Sequence, residues 1–259
     1  MFNDLLKDQR IAADIVSEVL LELISLTKPG VSLAMLDELA ERRIIERGGK
    51  PYNKGYVAEW AKEPYPSTIC ASIDSEICHC FPDRILKEGQ IVKYDLGVRY
   101  KSGCGDSGLT VPVGEISHRK ERLLRYGLRA LYEGIKVIKD GLPISSIGRA
   151  IEQTLGLQGY TVVREFGGHH IGEEMHEKPH ISSVSREEDD GTFLKAGKVI
   201  CIEPHIAAGD GHVIMMPDGW RNFWSSGEPV AMFEEMILVK EDSFEILTGH
   251  LGNKGKTML

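Results

Sequence analysis

An internal repeat limits the possible folds of this sequence more than any other feature. Gly30 and the helical pattern that follows it match Gly141 and its helical pattern, about 110 residues later. The segment Leu86–Ile91 matches Leu194–Val199 at nearly the same offset. Several matches in the same order, at one spacing, are poorly explained by chance. The chain is therefore predicted to contain two copies of one α+β unit.

The repeat also predicts where a functional site lies. It aligns Asp95 with Glu203. Acidic residues at equivalent strand positions of two similar halves indicate one site near a pseudo-twofold axis. We therefore predict a single domain over residues 1–259, with repeated halves of roughly 5–115 and 116–250.

Hydrophobic periodicity predicts the elements of each half. Apolar residues at helical spacing predict helices at 4–27, from Ser32 to Gly48, after Ser117, and from Ser145 to Leu157. Short apolar runs predict strands at 69–73, 91–98, 109–113, 161–165, 199–203 and 233–239. This mixture predicts the α+β class.

Composition excludes several classes of protein. The net charge is −8, which offers no basic face for nucleic acid. Charged residues interrupt every apolar stretch well before the roughly 20 residues that a membrane helix needs. The first residues lack the apolar core of a secretion signal. Five cysteines, an odd number, indicate free thiols in a reducing compartment. We therefore expect a cytoplasmic protein.

Four carboxylates stand on or beside apolar strands. Asp95 lies within one strand, and Asp106 follows it across a predicted hairpin turn. Glu203 ends the strand at 199–203, and Glu234 is placed near the start of the strand at 233–239. Acidic side chains are rarely buried unless they are paired or bind metal. Two divalent cations would balance four such charges.

A histidine would complete such a site, and His169 in a Gly-Gly-His-His segment is the best candidate. Oxygen-rich ligation with one imidazole suits Mn, Fe(II), Co or Zn better than it suits a closed structural zinc site. Two metal ions about 3.5–4 Å apart commonly activate water against an amide or a phosphate. The residues thus predict a hydrolase with two divalent metal ions.

Taken together, several segments resemble one known family. They are Ser72–His79, Asp95, Gly105–Ser107, Val163–His169, Met175–Pro179, Ile202–Pro204 and Phe233–Glu234. Over essentially its full length the chain is similar to the type 1 methionine aminopeptidases. This resemblance implies the pita-bread fold, in which duplicated α+β halves form an antiparallel sheet covered by helices.

The resemblance also implies a role for each candidate residue. Asp95 would bind one metal ion through both oxygens, Asp106 and Glu234 would bridge the two ions, and His169 and Glu203 would complete the other. Glu203 would in addition move a proton during catalysis. The neighbouring Glu235 matches a variable position of the family.

Further residues would contact the substrate. His79 and His176 correspond to histidines beside the scissile amide, and they count with Glu203 as the candidate catalytic residues. Three positions correspond to the pocket for the methionine side chain: Tyr65, Cys70 and Trp220.

The implied activity is removal of the N-terminal Met from nascent proteins and peptides with a small second residue. The ribosome is a further candidate partner, and we expect a monomer that binds neither nucleic acid nor membrane. Two alternatives remain. One is a proline-directed aminopeptidase or prolidase with the same ligands, and the other is a non-catalytic pita-bread protein that binds partners.

Four residues depart from the family's usual sequence: Glu63, Cys80, His170 and Met232. His170 stands next to the predicted metal ligand His169. Its imidazole is expected either to swing away from the site or to narrow the space for the substrate's second residue.

Overall fold

The computed structural model describes residues 2–249. Within this range it contains α-helices α1 (Phe2–Leu26), α2 (Leu33–Glu46), α3 (His118–Lys136) and α4 (Ser145–Leu155). The four helices agree with the four predicted ones, with ends that differ by a few residues. Ser117 caps α3 by accepting a hydrogen bond from the backbone N–H of Lys120, whereas Ser32 precedes α2 without a side-chain cap.

The strands are short, except for one long hairpin. They are β1 (Lys50–Pro51), β2 (Cys70–Ile73), β3 (Glu76–Cys78), β4 (Ile91–Tyr100), β5 (Gly103–Pro112), β6 (Tyr160–Val162), β7 (Gly167–His170), β8 (Glu177–Ser182), β9 (Val199–Ile202), β10 (His205–Ala208), β11 (Val213–Met215), β12 (Asn222–Trp224), β13 (Val230–Met232), β14 (Glu235–Val239) and β15 (Phe244–Ile246). Every strand pair in the described range is antiparallel. The α+β class is confirmed.

Two sheets carry most of the predicted site. The first contains β1, β4 and β2, with β5 paired to β4, and the second has the order β15-β14-β9-β7-β8. Helix α1 lies against β4 and β5. A side chain at Gly105 would collide with the α1 backbone at Ala12, 2.6 Å from its carbonyl carbon, so this glycine permits close packing of helix on strand. The large apolar core fills the space between helices and sheets.

Matching backbone hydrogen bonds support the predicted repeat. In the first half Gly30 N donates to Leu86 O at 2.8 Å. At the aligned position Gly141 N donates to Leu194 O at 2.9 Å. The turns that follow Leu86 and Leu194 also correspond, because Gly89 and Gly197 both have positive φ, of 82° and 84°. Equivalent turns in equivalent places are expected of a duplicated unit.

Three predicted strands differ most from the observed ones, and the others differ by one or two residues at an end. The strand predicted at 109–113 begins at Gly103, because the hairpin continues β4 residue by residue. The strand predicted at 161–165 ends at Val162. The strand predicted at 233–239 is interrupted, and Glu234 lies in the gap between β13 and β14. Among the described helices none combines the length and apolarity needed to span a bilayer.

Candidate active site

One cavity brings all the predicted site residues together. Its lining includes Asp95, Asp106, His169, Glu203, Glu234, His79, His176, Tyr65, Cys70 and Trp220. These residues come from both halves of the chain and from loops between the sheets. The predicted site residues therefore share one cavity with further lining residues, and the role of each stays a prediction.

The β4–β5 hairpin positions the two aspartates. Asp95 is paired with Gly108, and Asp106 is paired with Gly97. This diagonal register places both side chains on the same face of the hairpin. The side chain of Asp106 is nearly buried, and Asp95 is partly exposed to the cavity.

Two strands of the second half position the glutamates. Glu203 directly follows Ile202, and Glu234 directly precedes Glu235, which is the residue paired with Ile202. Glu234 is also held to the first half, because its N–H donates to Gly108 O at 2.8 Å and its carbonyl accepts from Ser107 Oγ. These two bonds place Glu234 next to the strand that carries Asp106.

His169 reaches the carboxylates from β7. A side chain at Gly168 would lie only 1.8 Å from the carbonyl oxygen of Cys201, so glycine is required there for β7 to approach β9. The Nδ1 atom of His169 lies 3.0 Å from the carbonyl oxygen of His170. A carbonyl oxygen can only accept, so Nδ1 carries the proton and Nε2 presents its lone pair to the cavity.

The resulting cluster has the electrostatics of a cation site. His169 Nε2 lies 3.6 Å from Asp106 Oδ2 and 4.0 Å from Glu203 Oε1, so acceptor atoms face one another without hydrogen bonds. Asp106 Oδ1 and Glu234 Oε1 are buried and have no partner among the described residues. Bound divalent metal would satisfy all these atoms, and the donor set fits it.

Burial and mutual repulsion disfavour the charged forms of these carboxylates. Burial, followed by the charge of Asp106, raises the pKa of Asp95. The pKa values of Glu203 and Glu234 are raised well above the ordinary range by burial and then by the charges of the neighbouring carboxylates. Burial also raises the pKa of Asp106. A bound cation would reverse these shifts.

Two histidines lie beside this cluster. The ring centroid of His176 is 4.6 Å from that of His169. His79 follows β3 with a left-handed backbone (φ 55°), a conformation that residues with a side chain rarely adopt and that is found disproportionately at functional sites. Burial lowers the pKa of each ring to about 4, so both are uncharged near neutral pH.

Another part of the cavity lining is a hydrophobic surface that we call the aromatic wall, formed by Tyr56, Tyr65, Cys70 and Trp220. The Tyr65 and Trp220 rings are 5.1 Å apart and nearly perpendicular. Tyr65 donates its hydroxyl hydrogen to Cys80 O at 2.9 Å, and Trp220 Nε1 donates to Glu63 O at 2.8 Å. Because these polar atoms bond to the backbone, the wall presents apolar surface to the cavity.

The sequence reasoning missed several residues of the site, among them Cys201 and His205. The Cys201 sulfur and the ligand atoms of Asp106, His169 and Glu234 all lie within 4.8 Å of one another. Cys201 stands two positions before Glu203, so strand alternation could have indicated that both face the same side. His205 also lines the cavity. It stands two positions after Glu203, but Pro204 interrupts the strand pattern there.

The four residues that depart from the family sequence lie outside the cavity lining. None of Glu63, Cys80, His170 and Met232 belongs to the cavity lining within the described range. His170 follows His169 in β7, where the pairing with β8 shifts register between the two residues, and His170 lies outside the cavity lining. The first of the two expectations for His170 fits the structure. Glu235 likewise faces away from the cluster, and it accepts a hydrogen bond from Tyr132 at 3.0 Å.

All five cysteines, Cys70, Cys78, Cys80, Cys104 and Cys201, are free and buried. The prediction of free thiols is confirmed.

Comparison with known proteins agrees with this site. The profile described as metallopeptidase family M24 matches residues 7–241. Methionine aminopeptidase 1 of Bacillus subtilis is 37% identical over 222 residues, which cover 85% of this chain and 87% of that protein. The crystal structure of methionine aminopeptidase from Rickettsia prowazekii superposes with a TM-score of 0.88 and 32% identity, covering 95% of this chain and 97% of that one.

A prolidase from Pyrococcus furiosus is more distant. It has a TM-score of 0.68 and 21% identity, and the match covers 95% of this chain but only 64% of the prolidase. That likeness shows a shared fold alone, and the prolidase alternative is therefore disfavoured. The pita-bread fold is confirmed, and the chain is a metal-dependent aminopeptidase. It belongs to metallopeptidase family M24, within the group of the methionine aminopeptidases.

Proposed function

We propose that this protein removes the N-terminal Met from peptides and nascent proteins with a small second residue, using two divalent metal ions. The observation that carries this proposal is that one cavity contains two chemically different regions, one of buried acceptor atoms and one of apolar surface. Buried acceptor atoms without partners in the described range, on Asp106 and Glu234, lie beside His169 in the same cavity as the aromatic wall. The first set suits cations, and the second suits an unbranched apolar side chain such as that of Met.

Five residues would hold the metal ions: Asp95, Asp106, His169, Glu203 and Glu234. Bound there, the ions would supply Lewis-acid polarisation of the substrate carbonyl and a water molecule of lowered pKa. The family resemblance assigns Asp106 and Glu234 to both ions. Mn, Fe(II), Co and Zn all fit the donor set.

The surrounding side chains would bind and orient the peptide. Tyr65, Cys70 and Trp220 would enclose the methionine side chain. His79 would hold the scissile amide nitrogen, and the uncharged ring of His176 would donate a hydrogen bond to the oxygen on which negative charge develops. Glu203, whose carboxylate is 19% exposed and faces the cavity, would carry a proton to the leaving amine.

We place this activity in the cytoplasm and in a monomer. Nascent chains are the substrates that such an activity would meet, and the ribosome is then the structure beside which the protein would act. The free α-amine of the substrate would lie beside the five ligand residues, which would limit the cut to one residue.

The deciding experiment uses purified protein, stripped of metal by a chelator and then reloaded with Mn, Fe(II), Co or Zn. Reloaded protein is expected to bind up to two ions and to cleave Met-Ala and Met-Gly peptides. An N-acetylated Met-Ala peptide should resist, because its blocked amine cannot bind metal. Full activity in metal-free protein would refute the proposal, and so would cleavage only before proline with Met-Ala peptides untouched.

A further inference from the structure

His205 lies in the same cavity as the predicted metal ligands, yet the proposed reaction gives it no role. Its residue surface is only 2% exposed. Neither ring nitrogen has a hydrogen-bond partner in the described part of the chain. The Nδ1 atom is 4.0 Å from Glu203 Oε2, which is beyond hydrogen-bonding distance. Buried polar atoms normally have partners, so this ring calls for a ligand.

The position of His205 indicates which part of a substrate would meet it. Its ring centroid lies 5.2 Å from that of Phe166. Phe166 packs against a cluster around Trp224 that is separate from the aromatic wall. The His79 ring stands between these regions, 6.3 Å from Phe166 and 6.2 Å from Trp220. If the methionine occupies the Trp220 side, the next residue occupies the side of Phe166 and His205.

We propose that His205 hydrogen-bonds the side chain of the substrate's second residue and so selects serine or threonine over apolar residues of similar size. This inference rests on the proposed function. An uncharged imidazole offers one donor and one acceptor, and a hydroxyl group can engage either. A site that hydrogen-bonds a substrate hydroxyl rejects the analogue lacking it, because the buried polar group of the protein is then left unpaired.

The test compares peptides that differ only in this hydroxyl. Values of kcat/KM are measured for Met-Thr against Met-Val peptides, and for Met-Ser against Met-Ala peptides. In the unmodified, metal-loaded protein we expect the threonine peptide to be favoured about tenfold over the valine peptide. The variant His205→Leu should bring that ratio close to one, and His205→Asn, which keeps a donor and an acceptor, should retain part of it.

Two controls separate this role from a structural one. His118 is exposed at the start of α3, away from the cavity, so His118→Leu should leave both ratios unchanged. His205→Leu should unfold at a temperature no lower than the unmodified protein, because the ring makes no hydrogen bond that could be lost.

A threonine-to-valine ratio near one in the unmodified protein overturns the inference without recourse to any variant. An unchanged ratio in His205→Leu also overturns it, as does an equal loss on all four peptides, which would mean that His205 positions Glu203. These outcomes leave Met-Ala cleavage by the unmodified protein intact. Failure of the proposed function is different, since no Met peptide would then be cleaved.

Discussion

Two regions of the cavity, the aromatic wall and the predicted metal ligands, differ in whether their polar atoms have hydrogen-bond partners. On the aromatic wall, the Tyr65 hydroxyl and the Trp220 indole N–H both bond to backbone carbonyls. Among the predicted metal ligands, Asp106 and Glu234 each keep a buried oxygen without a partner in the described range. The chain itself therefore satisfies these polar atoms of the wall, whereas the metal-ligand cluster requires partners from outside the chain.

This difference shows how one cavity can combine binding with chemistry. A wall with satisfied polar atoms attracts an apolar side chain and leaves little for an ion or water to bond. A cluster of unsatisfied acceptors lowers the stability of the metal-free protein, and this destabilisation is removed only when cations bind. Substitutions in the two regions should therefore have opposite effects on activity and on stability.

The largest expected effect comes from Asp106→Ala, which removes a ligand assigned to both metal ions. We expect kcat/KM for Met-Ala peptides to fall at least about a thousandfold, because polarisation of the carbonyl and activation of water are lost together. The measurement is peptide hydrolysis together with metal analysis. The variant should remain folded without metal, since the substitution removes a buried carboxylate that repels its neighbours. Near-normal turnover would mean that Asp106 is not a ligand.

The next effect concerns His176, which lies beside the cluster without belonging to it. His176→Ala should lower kcat about a hundredfold, and it should change KM by no more than about threefold, because the ring acts on charge that develops during the reaction. Steady-state kinetics on Met-Ala peptides provide the check. A raised KM with normal kcat would make His176 a substrate-binding residue instead.

The unpaired carboxylates should also make the metal-free protein sensitive to pH. The pKa of Asp95 is raised to about 8 and that of Asp106 to about 7, against 3.8 for an ordinary aspartate. Between about pH 4 and about pH 8 the folded state binds more protons than the unfolded state. The free energy of unfolding therefore falls as pH rises through this range. We expect the unfolding midpoint to drop by about 5 °C or more over that range.

Metal-loaded protein provides the control for this pH effect. Bound cations favour the ionised carboxylates, so the midpoint should not fall in the same way. Replacing Asp106 by Asn should weaken the slope of the metal-free protein, because one of the repelling charges is gone. A slope that is the same with and without metal would contradict the interpretation.

The smallest effect on activity is expected on the aromatic wall. Tyr65→Phe removes a hydroxyl that bonds to Cys80 O and keeps the ring that lines the cavity. The free energy of unfolding should fall by about 1 kcal/mol, whereas kcat/KM should change less than about threefold. Chemical denaturation and peptide kinetics measure the two quantities. A large loss of activity with unchanged stability would show that the hydroxyl contacts substrate.

Much of the site could be predicted because its residues interrupt regular patterns. Asp95 stands out as an acidic residue in an apolar strand, and the repeat aligns it with Glu203. The helices were predicted almost to their ends, because their apolar spacing is local. Glu234 lines the cavity, but it lies outside the strand predicted for it, because the gap at 234 depends on bonds to Ser107 and Gly108, far away in sequence.

The sequence alone determined the α+β class, the four helices and several of the residues that line the cavity, since hydrophobic periodicity and acidic residues in apolar runs can be recognised within short segments. Tertiary structure decided which polar atoms keep a partner. His205 shows this most clearly, because no local pattern reveals that both of its ring nitrogens are left without one. Hydrogen-bond satisfaction depends on the full set of neighbours, and those neighbours come from strands and loops far apart in the chain.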